Sequence, residues 1–86
     1  MRTYLLTPVR FDAPEWEYSL SREPVQVRAE TESRARELAT LRFVIGAAAG
    51  KSPWSDASLV QARQVDSLQP GTPLLDEHAM ARRGHR

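Results

Sequence analysis

One stretch of the sequence has the pattern of a long helix, and this stretch constrains the fold more than any other. Thr31 is a favourable N-cap, and Glu32 follows at the helix end where the dipole favours an acid. Apolar side chains then recur at helical spacing, namely Leu38, Leu41, Ile45 and Ala48. Gly50 is a natural stop, and Pro53 prevents any continuation. The sequence therefore predicts a helix over residues 32–49.

Three segments before this helix have the pattern of strands, and the second and third alternate apolar and polar side chains, as half-buried strands do. They cover residues 3–11, 16–20 and 25–29, and turns that contain Pro14 and Pro24 separate them. In the first segment, one predicted face carries Leu5, Val9 and Phe11, and the other carries Tyr4 and Leu6. We therefore expect a three-stranded meander ahead of the helix.

After the helix, residues 59–65 fit two different patterns. A helix would align apolar side chains at a spacing of three, at Leu59, Ala62, Val65 and Leu68. A strand would place alternate residues of the same segment on opposite faces of a sheet. We favour the strand, because a last strand that returns to the sheet completes a domain of three strands and one helix.

The predicted fold is therefore an α+β domain in the order β-β-β-α-β, with an antiparallel sheet and the helix packed on one face. A chain of 86 residues supports one domain. We place that domain at residues 1–70, because Pro70, Gly71 and Pro73 then interrupt the pattern. Residues 71–86 are predicted to be a flexible basic tail.

Charge and composition argue against several classes of protein. Residues 1–70 contain nine basic and nine acidic side chains, so the net charge of +1 comes from residues 71–86. So small a charge argues against bulk electrostatic binding to nucleic acid or to a membrane. No apolar run approaches the roughly 18 residues that span a bilayer. Cysteine is absent, which rules out disulfides and thiol chemistry and fits a reducing compartment, so we expect a cytoplasmic protein.

Catalytic and cofactor-binding motifs are also missing from the sequence. Residues 46–52 look like a phosphate-binding loop, but three residues separate Gly46 from Gly50, whereas that loop requires four. His78 and His85 both fall in the predicted tail, where a solvated polar side chain is the simpler explanation. We therefore expect a protein without catalytic residues, metal, cofactor or small-molecule substrate.

Aromatic side chains favour a protein partner. Trp16 and Tyr18 lie on one predicted strand and Trp54 lies on a loop. Trp, Tyr and Arg are the residue types that most often anchor interfaces. The sequence supports an alternative equally well, in which all three aromatic side chains fill the core beneath the helix.

The sheet face opposite these aromatic residues would then carry an apolar patch, formed by Tyr4, Leu6 and Leu59. Self-association through that face, or through an edge strand, is one way to cover it. A homodimer is therefore a second kind of partner that we consider.

Our leading hypothesis is a non-enzymatic protein-binding module, a small regulator or inhibitor that covers a partner's surface. Its contacts would include Trp16 and Tyr18, together with carboxylates that mimic phosphate in a basic channel, namely Asp12, Glu15, Glu17 and Glu23. Arg34 and Arg36 would face an acidic partner. Analogy of size with regulators from phage and mobile elements extends the hypothesis to nucleic-acid-handling complexes as targets.

The alternative hypothesis is direct binding of nucleic acid. Its contacts would be helical and C-terminal arginines, namely Arg34, Arg36, Arg42, Arg82, Arg83 and Arg86. Against it, Glu30, Glu32 and Glu37 interleave with the helical arginines, and interleaved charges are typical of a solvated, ion-paired helix face.

Overall fold

The computed structural model describes residues 1–44 and 52–77, and within them one α-helix packs on one face of a four-stranded sheet. The regular elements are β1 (Arg2–Pro8), β2 (Val25–Ala29), α1 (Glu32–Phe43), β3 (Val60–Val65) and β4 (Leu74–Asp76). The described residues also include two short 3₁₀ helices between these elements, at Pro14–Tyr18 and Pro53–Ser55. The predicted α+β class is confirmed.

The strands lie in the order β3-β1-β2-β4. β1 is antiparallel to both of its neighbours, and its Tyr4 lies between Val27 and Gln64 in the register. β4, however, runs parallel to β2, with Leu75 beside Val27. The prediction of a purely antiparallel sheet is therefore wrong at this edge, because the chain crosses the sheet between β3 and β4 and enters β4 in the direction of β2.

The predicted strand at residues 16–20 is wrong, because residues 14–18 form a 3₁₀ helix. Pro14 occupies the first helical position, where its missing N–H costs nothing. The indole of Trp16 turns into the core, and its Nε1 donates a hydrogen bond to the carbonyl oxygen of Arg10 at 3.1 Å. Beyond it, Ser19 forms an isolated bridge with Val44. The expected meander is thus a β1–β2 pair joined by a long connection, residues 9–24.

The first strand ends at Pro8, three residues earlier than predicted. Val9 donates its backbone hydrogen bond to Leu59, and Arg10 then adopts a positive φ of 55°. This left-handed residue turns the chain away from the sheet. Phe11 therefore leaves β1, and its side chain is 53% exposed.

The predicted apolar patch of Tyr4, Leu6 and Leu59 is also wrong, because all three side chains are buried in the core. They lie with Val25 and Val27 on the sheet side that α1 and the second 3₁₀ helix cover. The aromatic and aliphatic side chains share one core, so the sheet needs no partner on that face.

α1 begins where the sequence predicts. The side chain of Thr31 accepts a hydrogen bond from the backbone N–H of Arg34 at 3.1 Å, which satisfies one free donor of the first turn. The helix ends at Phe43, because Val44 is extended and the carbonyl oxygen of Phe43 accepts a hydrogen bond from Leu20 at 2.6 Å. Residues 45–49 of the predicted helix lie outside the described residues.

The buried face of α1 agrees with the predicted one at Leu38 and differs from it elsewhere. It carries Ala35, Leu38 and Ala39, and small side chains of this kind let the helix approach the sheet closely. Leu41, which the spacing placed on that face, is 66% exposed. Arg36 is buried instead, although the pattern had placed it toward solvent.

The fourth strand predicted at residues 59–65 is confirmed by β3. β4, in contrast, lies in the predicted tail, and the buried side chain of Gln26 explains its position. Its Nε2 donates to the carbonyl oxygens of Gln69 and Thr72, both at 3.0 Å, and its Oε1 accepts from the N–H of Gln69. The backbone N–H of Gln26 also bonds Pro73 at 2.9 Å. The rest of the predicted tail, residues 78–86, lies outside the described residues.

Among the helices of the described ranges, none is long and apolar enough to cross a membrane.

Candidate functional site

Two tryptophans form the base of the candidate site. The rings of Trp16 and Trp54 are fully buried and meet edge to face, with centroids 5.7 Å apart. Both indole N–H groups donate hydrogen bonds. That of Trp16 bonds the carbonyl oxygen of Arg10, and that of Trp54 bonds the hydroxyl of Ser19 at 3.0 Å. Trp16 is therefore a core residue rather than a contact residue, and the core alternative is correct for both tryptophans.

The aromatic packing continues from this pair toward the surface at both ends. Phe11 lies 5.9 Å from Trp16, and Phe43 lies 5.2 Å from Trp54, measured between ring centroids. The guanidinium of Arg42 lies over the Phe43 ring at 5.6 Å, within the range of a cation–π contact. Four aromatic rings thus form a continuous row whose ends reach solvent.

Two exposed apolar side chains follow Trp16 closely in the sequence. Tyr18 is 38% exposed and Leu20 is 68% exposed. Leu20 is fixed beside Phe43 by its backbone hydrogen bond, and the neighbouring Ser19 contacts Trp54. We call the set Phe11, Tyr18, Leu20 and Phe43 the Trp-backed surface.

Four carboxylates lie in the same connection as Phe11, Tyr18 and Leu20. Residues 10–23 contain four acids and two arginines, and the acids are Asp12, Glu15, Glu17 and Glu23. Asp12, Glu17 and Glu23 are exposed, and Glu15 is half-buried. None of the four forms an ion pair with another of the residues that the structure describes. Their charges are therefore available to a partner.

Arg34 and Arg36, which the sequence indicated as contact residues, form ion pairs, unlike these acids. Arg34 is paired with Glu37 and, at 3.3 Å, with Glu77. The hydrogen bond that Arg34 donates to Glu37, followed by the one that it donates to Glu77, holds the pKa of Arg34 above its ordinary value. Arg36 is buried and donates from Nε to Glu32 at 3.1 Å.

Arg36 helps to connect α1 to the second 3₁₀ helix. Its Nη1 donates to the carbonyl oxygen of Trp54 at 3.2 Å, and Thr40 on the next turn bonds the hydroxyl of Ser52 at 2.7 Å. These bonds attach the second 3₁₀ helix to α1 and so fix Trp54. Arg36 and Thr40 also line an open groove of ≈ 440 Å³.

The structure therefore brings together only part of the predicted site. Tyr18, Asp12, Glu15 and Glu17 share one connection, whereas Arg34 and Arg36 lie on α1 and are bound to carboxylates. Arg42 lies beside the Trp-backed surface through its contact with Phe43. Three predicted arginines, Arg82, Arg83 and Arg86, lie outside the described residues.

Sequence analysis missed Phe11, Leu20 and Phe43 as surface residues. Phe11 was assigned to a strand, although Pro8 and Pro14 on either side of it leave little room for regular pairing. Leu20 and Phe43 carry no such signal, because their exposure depends on where the connection meets the end of α1.

Comparison with known protein families, with curated proteins and with solved structures found no match to this chain. Within residues 1–44 and 52–77, no group of three acidic or histidine side chains converges in a way that could hold a metal ion.

Proposed function

We propose that this protein is a non-enzymatic binding module that attaches to a basic surface of a partner protein. The contact region is the Trp-backed surface with the four carboxylates of the same connection. The observation that carries the proposal is that the four acids at 12–23 form no ion pair among the described residues, whereas Arg34 and Arg36 on α1 each hold a carboxylate.

The apolar part of the surface supports a protein partner rather than a bare electrostatic contact. Large exposed side chains such as Leu20 bring affinity only when another apolar surface covers them. The buried tryptophan pair holds their backbone in place, which lowers the entropy cost of ordering the contact. An apolar centre with a charged rim is the usual anatomy of a protein interface.

The negative charge of the rim favours a basic partner. Unpaired carboxylates beside apolar side chains are complementary to an Arg- and Lys-rich surface that also offers an apolar recess. Surfaces that bind nucleic acid have this character, so a regulator or inhibitor of a nucleic-acid-handling complex fits the proposal. In such a complex the carboxylates would occupy phosphate positions.

A capture experiment from extracts of the source organism tests the proposal. The full chain serves as bait, and the Tyr18→Ser/Leu20→Ser double variant removes the exposed apolar side chains. The matched control is Leu68→Ser/Leu74→Ser, which removes two exposed leucines elsewhere. We expect wild type and the control to retain the same protein and the double variant to lose it.

Two results would contradict the proposal. One is a partner that the Tyr18→Ser/Leu20→Ser variant retains as well as wild type does. The other is capture of nucleic acid that all three chains bind equally and that about 0.5 M salt removes, since that dependence indicates phosphate contacts by arginines.

A further inference from the structure

β3 is an edge strand with an unusually open outer side. It spans Val60–Val65 at one end of the sheet order, and no strand of the described residues pairs with its outer edge. All six of its residues pair one to one with β1, so no bulge interrupts it. It contains no proline and a single charge, Arg63.

Proteins usually protect such edges with prolines, charges, bulges or a covering element. β3 has little of this protection, and four consecutive residues, Gln61 to Gln64, are exposed or half-buried. The opposite edge is less suited to pairing, because β4 has only three residues, Leu74–Asp76. We infer that β3 pairs antiparallel with β3 of a second copy, joining two sheets into one of eight strands.

Symmetry restricts the register of such a pair. A two-fold axis between antiparallel strands passes between two directly opposed residues, so one residue must face its own copy. An axis at Gln61 pairs only residues 60–62 of each strand, and an axis at Gln64 pairs only residues 63–65. An axis at Ala62 or at Arg63 pairs five residues on each copy.

Charge decides between the two longer registers. An axis at Arg63 would place two guanidinium groups directly opposite each other, which is unfavourable. An axis at Ala62 instead places two small side chains at the centre and sets Gln61 opposite Arg63 of the second copy. That pair occurs twice and joins an amide oxygen to a cation. The proposed dimer therefore has Ala62 on its axis, with both α1 helices on the same side of the sheet.

The absence of cysteine allows a direct test of this register in the full chain. Ala62→Cys places two thiols directly opposite each other, with Cβ atoms about 4.5–5.5 Å apart, so a small shift of the strands brings them to the roughly 3.5–4.5 Å that a disulfide requires. Gln64→Cys is the matched control on the same face of the strand, and its two copies would lie about 14 Å apart along the strands. Under mild oxidation we expect the Ala62→Cys disulfide dimer to form at least about tenfold faster.

The mass of the wild-type protein in solution tests whether the dimer forms. Sedimentation equilibrium should show the 9.7 kDa chain doubling its mass as concentration rises. Gln61→Glu should tighten the dimer and Gln61→Arg should weaken it, each by about fivefold, because each changes two cross-strand pairs. A mass of one chain at every concentration, or equal cross-linking of the two cysteine variants, would overturn the inference. The inferred dimer goes beyond the proposed function and does not depend on that function.

Discussion

The indole of Trp16 meets the indole of Trp54 edge to face, with ring planes at 82°. One tryptophan comes from the connection between β1 and β2, and the other comes from the 3₁₀ helix that follows α1. The contact joins two short 3₁₀ helices, Pro14–Tyr18 and Pro53–Ser55, which belong to no strand of the sheet. Pairs of this geometry add about 0.5–1.5 kcal/mol beyond the area they bury.

Replacing Trp16 should therefore unfold the protein rather than simply weaken binding. Trp16→Ala removes a fully buried indole, and such changes cost about 3–5 kcal/mol, which approaches the whole stability of a small domain. Tyr18→Ala, at an exposed position, should cost less than about 1 kcal/mol. Urea denaturation followed by circular dichroism measures both, and equal losses would contradict the buried role of Trp16.

Gln26 should control the order of β4. Gln26→Leu keeps the size of the side chain but removes three hydrogen bonds to Gln69 and Thr72. We expect a loss of about 1–3 kcal/mol in the free energy of unfolding. Hydrogen exchange should quicken at residues 69–76 while β1 amides keep their protection. Gln64→Leu, at an exposed site, is the control, and unchanged exchange at 69–76 would show that β4 does not need the amide.

Arg36 and Glu32 form an ion pair, and replacing Arg36 should lower the free energy of unfolding more than replacing Glu32. Arg36→Met leaves the carbonyl of Trp54 without its donor and should lower stability by about 2–3 kcal/mol. Glu32→Gln should cost less than about 1 kcal/mol, because the Glu32 side chain is 54% exposed. Chemical denaturation of the two variants compares them. A larger loss for Glu32→Gln would mean that the ion pair, and not the bond to Trp54, is what matters.

Asp56 should make a small contribution to stability that depends on pH. The hydroxyl of Ser58 at 2.6 Å, and then its N–H at 2.8 Å, hold the pKa of the Asp56 carboxyl below its ordinary value. Because the folded pKa is the lower one, this stabilisation is present above about pH 4 and is lost as pH falls through the folded pKa.

Carboxyl NMR titration measures this shift directly. Ser58→Ala removes the hydroxyl, the larger cause, and should move the pKa of Asp56 back toward its ordinary value. Asp66, an exposed aspartate for which the structure shows no ion pair among the described residues, serves as the internal reference. A pKa of Asp56 that Ser58→Ala leaves unchanged would contradict the assigned cause.

α1 and β2, which were located correctly from the sequence, have their signals within or directly beside the element. Thr31 caps α1 through its own side chain, and the alternation at 25–29 follows from the burial of Val25 and Val27. The strand at 59–65 was favoured for a topological reason, since its own pattern also allowed a helix. These elements define the α+β class.

The parts that were predicted wrongly depend on contacts between distant residues. The alternation of Trp16 and Tyr18 suits a strand, but the hydrogen bond from Trp16 to Arg10 requires a turn. β4 exists because Gln26 binds a segment 43 residues away, and no local pattern reports such a contact. For the same reason, the sequence did not indicate that Arg34 and Arg36 hold carboxylates, whereas the four acids at 12–23 form no ion pair among the described residues.

Affinity for the captured partner, measured by titration calorimetry, tests the central claim most directly. Asp12→Asn/Glu17→Gln removes two exposed charges at the Trp-backed surface, and Glu30→Gln/Asp66→Asn removes the same two residue types elsewhere. We predict that the first pair weakens binding about tenfold at low salt and reduces its salt dependence, while the control pair changes affinity less than about twofold. Equal effects of the two pairs, or none from the first, would contradict the account.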